Sequence, residues 1–171
     1  MSVPTLKIAG VEIALQTFPA AQSYGPLEGA TVHRMLNGAA VKQQHWRKLT
    51  TTISGDGWAP TALAGVDWSA PVEILCMQPR ALHSATVNAT LPAARRSDLV
   101  VNVIALAVVG NELVPTPVSV LVNAATATAV AGATSYQFMY YPKLSCYSSG
   151  PEESLDTAGA AYAWSLEAEE I

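Results

Sequence analysis

The pair Asn37-Gly38, set between two extended-looking segments, constrains this chain more than any other local feature, because Asn-Gly supplies the positive φ angles of a tight type I′ hairpin turn. It commits the stretch from Ala30 to Ile53 to a β-hairpin arm. On the incoming strand, Val32, Arg34 and Leu36 alternate with Thr31, His33 and Met35. On the outgoing strand, Gln43, His45 and Arg47 oppose Lys42, Gln44, Trp46 and Lys48, so neither face is apolar and the strand has little to bury. From Leu49 the pattern changes: Leu49, Thr51 and Ile53 share one side, as in a half-buried sheet. A two-stranded ribbon alone is marginal in water, so the distal arm is expected to lean on another surface.

The arm is also the basic region of the chain. No acid occurs between Glu28 and Asp56, whereas Arg34, Lys42, Arg47 and Lys48 all lie there, on a chain whose formal net charge is −4. The acids gather at the other end: Glu152, Glu153, Asp156, Glu167, Glu169 and Glu170 are six of the 13. This segregation predicts a head-to-tail contact between identical subunits, in which the arm (Arg34, Lys42, Gln44, Trp46, Arg47, Lys48) meets that acidic counter-surface. Such a heterologous contact closes into a ring when the rotation permits. A solvated positive face is the plainer alternative.

A length of 171 residues fits one domain over 1–171, long enough to remove roughly 70% of its unfolded surface from water. Only 13% of residues are charged, low against a typical quarter, which predicts a surface partly covered by partners. The acidic balance argues against a dedicated nucleic-acid binder. Cys76 and Cys146 sit in strand-like contexts and are expected to be free, buried thiols of a reducing compartment. The start of the chain lacks the pattern of a signal peptide. Its longest apolar run, Leu99 to Val109, is interrupted by Asn102 and far short of the roughly 20 residues that span a bilayer. A soluble protein without a membrane anchor is expected.

Along the chain, Leu6 to Gln16 reads as a strand pair or bulged strand around Gly10, and Phe18 to Gly29 as a loop. Trp58 to Asp67, with Pro60 in a first-turn position, predicts one short helix with Leu63 and Val66 inward. Pro71 to Pro79 is a strand bounded by prolines, and Ala81 to Asp98 a long surface loop. Leu99–Val109 and Val114–Val122 form a hairpin whose first strand is covered on both faces. Asn123 to Gly132 is either a flexible loop or an edge strand. Ser135–Tyr141, Leu144–Tyr147 and Ala160–Ala168 are strands, with Tyr136, Phe138 and Tyr140 on one face and Tyr162, Trp164 and Leu166 on another. Eight or more short strands with turn signals about every ten residues make an all-β, antiparallel sandwich or barrel with one short helix and the extended arm.

No constellation for chemistry emerges. His33, His45 and His83 have no carboxylate or thiol at metal-ligand spacing, Ser54-Gly55-Asp56-Gly57 matches neither a phosphate nor a calcium loop, and Cys76 sits mid-strand, where thiols are inert. The terminal acids bracket a loop rather than a cleft. No cofactor, no metal and no enzymatic activity are expected.

The order of hairpin, WRKLTTTISGDGWAP (46–60), ALAGVD (62–67), CMQPR (76–80) and a closing block YYPKLSCYSSGP (140–151) with YAWSLEAEEI (162–171) resembles the distal tail or baseplate-hub proteins of siphophages of Gram-negative bacteria. The resemblance covers roughly Ala30 to Arg80 and Tyr136 to Ile171. It implies a tail-tube-like β domain, assembled as a hexameric ring between the tail-tube protein and the baseplate hub at the virion's tail tip, after assembly in the host cytoplasm. The arm, anchored by Trp46, would belt neighbouring subunits. The lumen would pass DNA and the tape-measure protein without binding DNA specifically, and acids lining it would suit that passage. The added carbohydrate-binding domain of larger family members is missing from this sequence, so direct receptor binding is not implied. Two alternatives stand beside this reading: a tail-tube or tail-terminator protein, and a carbohydrate-binding β-sandwich using Trp46, Trp58, Trp68 or Trp164.

Overall fold

The computed structural model describes residues 4–13, 19–157 and 159–171. Leu15, Gln16 and Phe18, assigned above to a strand and a loop, lie outside the described residues. The protein is all-β, and among the described residues there is no helix. In chain order the strands are β1 (Lys7–Ile8), β2 (Val11–Glu12), β3 (Pro19–Arg34), β4 (Ala40–Gly57), β5 (Val72–Leu75), β6 (Arg80–Ser84), β7 (Asn88–Thr90), β8 (Val103–Val109), β9 (Glu112–Thr116), β10 (Val118–Leu121), β11 (Ala124–Ala127), β12 (Ser135–Tyr140), β13 (Lys143–Tyr147), β14 (Glu152–Asp156) and β15 (Ala161–Glu170). They fall into two compact units, one built from Leu75–Leu144 with Pro4, the other from Thr5–Ile74 and Ser145–Ile171. The chain crosses between units inside β5 and β13, which is why no linker composition marks a boundary in the sequence.

The arm-bearing unit is organised by one antiparallel sheet of order β2-β1-β5-β13-β15-β4-β3, with β14 beside part of β15. Its buried face follows from strict alternation. Thr51, Ile53 and Gly55 on β4 lie opposite Ala168, Leu166 and Trp164 on β15, and all six are buried. Thr51 is tolerated there because its hydroxyl donates to the Ser23 carbonyl and accepts from the Gln22 amide, both at 3.1 Å. The β1–β2 hairpin turns through Ala9 and Gly10, both at positive φ (+50° and +80°), the two-residue geometry of a type I′ turn.

The other unit is a small sandwich. Sheet β6-β12-β8-β9 faces sheet β10-β11-β7 across one core containing Leu91, Val103, Phe138 and Ala125. Tyr136, Phe138 and Tyr140 on β12 register with Ala107, Ala105 and Val103 on β8, each aromatic ring beside a smaller buried neighbour. Beside it, Arg96 is 1% exposed and is held by Asp98 and by the carbonyls of Leu75 and Cys76.

Five sequence expectations change. Trp58–Asp67 is not a helix; Val66 donates to the Leu63 carbonyl in a lone turn, too short to repay helix nucleation. The expected loop before the arm is strand from Pro19 onward, and Pro26 is accommodated because β3 is the sheet's edge. The expected surface loop Ala81–Asp98 contains most of β6 and all of β7, and buries Leu91 and Arg96. Leu99–Val109 is strand only from Val103, with one face buried and the other half-buried, while Val114–Val122 is broken at Pro117 into β9 and β10 of different sheets. Asn123–Gly132 contains β11, which is a central strand and not an edge, its Ala125 and Ala127 buried.

Candidate interaction surface: the hairpin arm and an open acidic sheet face

The arm forms where the sequence placed it, as the distal part of the β3–β4 hairpin. Every residue from Thr31 to Arg47 is exposed. The turn differs in type. Strand pairing ends at Arg34 with Ala40, Met35 N donates to the Ala39 carbonyl at 2.9 Å, and Gly38 N donates to the Met35 carbonyl at 2.8 Å. Within the turn, φ is positive at Gly38 (+81°) and not at Asn37. This is a three-residue loop, a type I turn closed by a left-handed glycine bulge. Asn37 acts instead through its side chain, accepting from Ala39 N at 3.0 Å.

A second irregularity re-sorts the arm's faces. Gly29 pairs with Trp46 and Ala30 with Gln44, leaving His45 as the extra residue of a β-bulge. Because facing residues share a side of the sheet, the bulge places Lys42 and Gln44 on the same face as Arg47 and Glu28, and Trp46 on the opposite face with Gln43 and Val41. Alternation without the bulge would have put Lys42, Gln44 and Trp46 together. The resulting charged ladder is visible in the contacts: Lys42 Nζ reaches Glu28 Oε1 at 2.8 Å and Gln44 Nε2 reaches Glu28 Oε2 at 2.9 Å. The Lys42 hydrogen bond holds the Glu28 carboxyl below its usual range, with Arg47 adding to the effect. The Trp46 indole lies across Gly29, where a Cβ would come within 2.7 Å of the ring.

Of the expected arm residues, therefore, Lys42 and Gln44 are engaged within the arm, Lys48 donates to the Ile171 carbonyl at 2.5 Å, and Arg34 donates to the Gly38 carbonyl at 3.1 Å. Val32, Met35, Leu36, Val41 and Trp46 are exposed between 40% and 112%, an apolar content that charge counting overlooked.

The acidic counter-surface divides. Glu153 accepts from the Thr61 hydroxyl, and Glu170 accepts from Leu49 N at 2.9 Å, closing the end of the β4–β15 ladder. Glu152, Asp156, Glu167 and Glu169 share the sheet's open face, opposite the one carrying Trp164 and Leu166, and all are exposed. Register adds Asp56, which the sequence reading did not single out although it keeps step with Thr50 and Thr52 on β4. Between these five carboxylates lie Thr52, Ser54, Ala161, Ala163, Ser165 and Ser154, all small. Tyr147 on β13, opposite Glu169, is the large exposed side chain of this face, and with Thr50, Thr52, Ser148, Ser149, Glu167 and Glu169 it lines a shallow depression there.

The carboxyls of Glu28 and Asp67 are pushed down, the latter by the Ser69 hydroxyl and amide, whereas a general acid at neutral pH needs its pKa raised. Among the described residues no three His, Cys, Asp or Glu side chains cluster as metal ligands. Cys76 and Cys146 are buried and are not joined in a disulfide. The tryptophans do not share a groove: Trp164 is 4% exposed, Trp58 is 71% exposed, Trp68 packs on Gly150 and Trp46 belongs to the arm. No protein-family model matches the chain, and no curated protein matches it.

Proposed function

We propose that this protein is a structural virion component that forms a hexameric ring at the distal end of a long non-contractile phage tail, joining the tail-tube protein to the baseplate hub. The observation that carries the reading is the arm: a ribbon exposed from Thr31 to Arg47, with five large apolar side chains in water, is stable only against a partner. A neighbouring copy supplies that partner at every position of a closed ring. Arg34 and Arg47 meet Glu152 and Asp156 of the next copy, on the peripheral strand β14. Asp56, Glu167 and Glu169 line the channel, where their exposed carboxylates repel the phosphates of passing DNA.

Native mass spectrometry at two salt concentrations tests this reading. A six-subunit species that loosens at high salt is the expected result. A chain that stays monomeric at every concentration refutes assembly through the arm.

A further inference from the structure

Asn37-Gly38 and Asp56-Gly57 each set an amide or acid side chain before a glycine. In such a pair the glycine nitrogen can attack the preceding Cγ and close a five-membered succinimide ring, because both groups sit on one short stretch of chain and no Cβ crowds the nitrogen. The structure separates the two pairs. Asp56 and Gly57 lie in β4, in register with Ala163 and Tyr162 of β15, so bending Cγ onto the Gly57 nitrogen would unpair the ladder. A carboxylate is also a poorer electrophile than a carboxamide. Asn37 stands at the arm tip, and the residues around it, 36 to 39, are all exposed. Its Oδ1 accepts from Ala39 N at 3.0 Å, which folds the carboxamide back over the Gly38 peptide and polarises the Cγ carbonyl. Among the described residues nothing lies within 4 Å of the place a Gly38 Cβ would take, so the turn rotates without meeting a neighbour. What holds it shut is a pair of backbone bonds in water, Gly38 N to the Met35 carbonyl at 2.8 Å and Met35 N to the Ala39 carbonyl at 2.9 Å. They close the free end of a two-stranded ribbon, the kind of place where local opening costs least.

We infer that Asn37 is a site of spontaneous deamidation. When the turn opens, the Gly38 nitrogen gives its proton to hydroxide and bonds to Asn37 Cγ, the bond from Cγ to Nδ2 breaks, and Nδ2 leaves as ammonia. Water then opens the succinimide at either carbonyl, giving aspartate or isoaspartate, with no oxidant, metal or cofactor. Either product sets a new carboxylate near Arg34, whose guanidinium already reaches the Gly38 carbonyl at 3.1 Å, and so lowers the charge of the basic arm. Isoaspartate also routes the main chain through Cβ. That lengthens a loop whose closure depends on Gly38 at φ +81°, and it loosens the Arg34–Ala40 pair beside it. The arm therefore carries a mark of age, and this holds whether or not the chain forms a ring.

The test uses the full chain, aged in mildly alkaline buffer without denaturant. The expected result is a mass gain equal to the exchange of NH2 for OH, mapped to the peptide that carries Asn37, with methyl transfer to isoaspartate at that residue by an isoaspartyl methyltransferase and none at Asp56. Hydroxylamine, which traps the succinimide, should cut the chain between Asn37 and Gly38. Asn37→Gln keeps an exposed amide but would need a six-membered ring, and should lose all three signals. The denatured chain gives the reference rate. An Asn37 that stays intact in the folded protein while the denatured chain converts overturns the inference, because the turn then protects it. Conversion at Asp56 in place of Asn37 overturns it as well.

Discussion

Arg96→Met is the sharpest test of how the Leu75–Leu144 unit is held. Arg96 is 1% exposed, and its contacts include Nε to Asp98 Oδ1 at 3.0 Å, Nη2 to Asp98 Oδ2 at 2.8 Å, and Nη1 to the carbonyls of Cys76 at 3.0 Å and Leu75 at 3.3 Å. Methionine preserves much of the side-chain volume and removes every donor. A buried acceptor left without its partner costs about 1–3 kcal/mol, and breaking a buried ion pair from one side costs about 3–5 kcal/mol. Asp98 is 35% exposed and regains water, which moves the expectation to the lower part of that range, about 3 kcal/mol. For a chain of this size that lowers Tm by on the order of 10 °C. Urea unfolding followed by far-UV circular dichroism measures the loss; the four tryptophans all belong to the other unit, so their fluorescence separates its transition. Arg96→Lys keeps the charge but not the fork, and falls between. A loss for Arg96→Met below about 1 kcal/mol, the worth of an exposed ion pair, refutes the reading of Arg96 as a buried clamp.

Gly29→Ala should displace the Trp46 indole and red-shift its contribution to the fluorescence while leaving the unfolding midpoint nearly unchanged, because the distal arm is outside the core; an unaltered spectrum counts against the stacking. Gly38→Ala should destabilise the arm by about 1 kcal/mol through its left-handed φ, seen as faster amide exchange across the Arg34–Ala40 pair, whereas Asn37→Gly, which removes only the exposed hydrogen bond from Ala39 N, should cost less; equal effects would restore the two-residue turn. Glu28 has its folded pKa depressed, so its contribution is present above the unfolded value and is lost as pH falls through the folded one. Carbon-13 titration should place its midpoint below 4.5, and Lys42→Met should raise it; an unshifted midpoint removes the ladder. Cys76 and Cys146 should resist a thiol reagent until denaturant is added, and rapid labelling of either would contradict its burial.

What the sequence alone determined is whatever depends on neighbours in the chain. Asn37-Gly38 located the reversal, and the period-two pattern grouped Tyr136, Phe138 and Tyr140 on one face and Tyr162, Trp164 and Leu166 on another, because alternation is a property of a single strand; the structure buries all of them but Tyr162, which is half-buried. The cysteines' apolar strand contexts pointed to buried thiols for the same reason. Tertiary structure decided everything that depends on a facing strand. The bulge at His45 exists only in the register of β4 on β3, yet it determines which side Trp46 and Lys42 share. Glu28, Glu153 and Glu170 meet donors 14, 92 and 121 positions away, contacts that a count of charges along the chain could not show. Ala124–Ala127 has weak intrinsic β preference and becomes a central strand because β7 and β10 hydrogen-bond to it from both sides. Local alternation is cheap to read, whereas pairing is a choice among distant segments, made by burial and by the hydrogen bonds that burial demands.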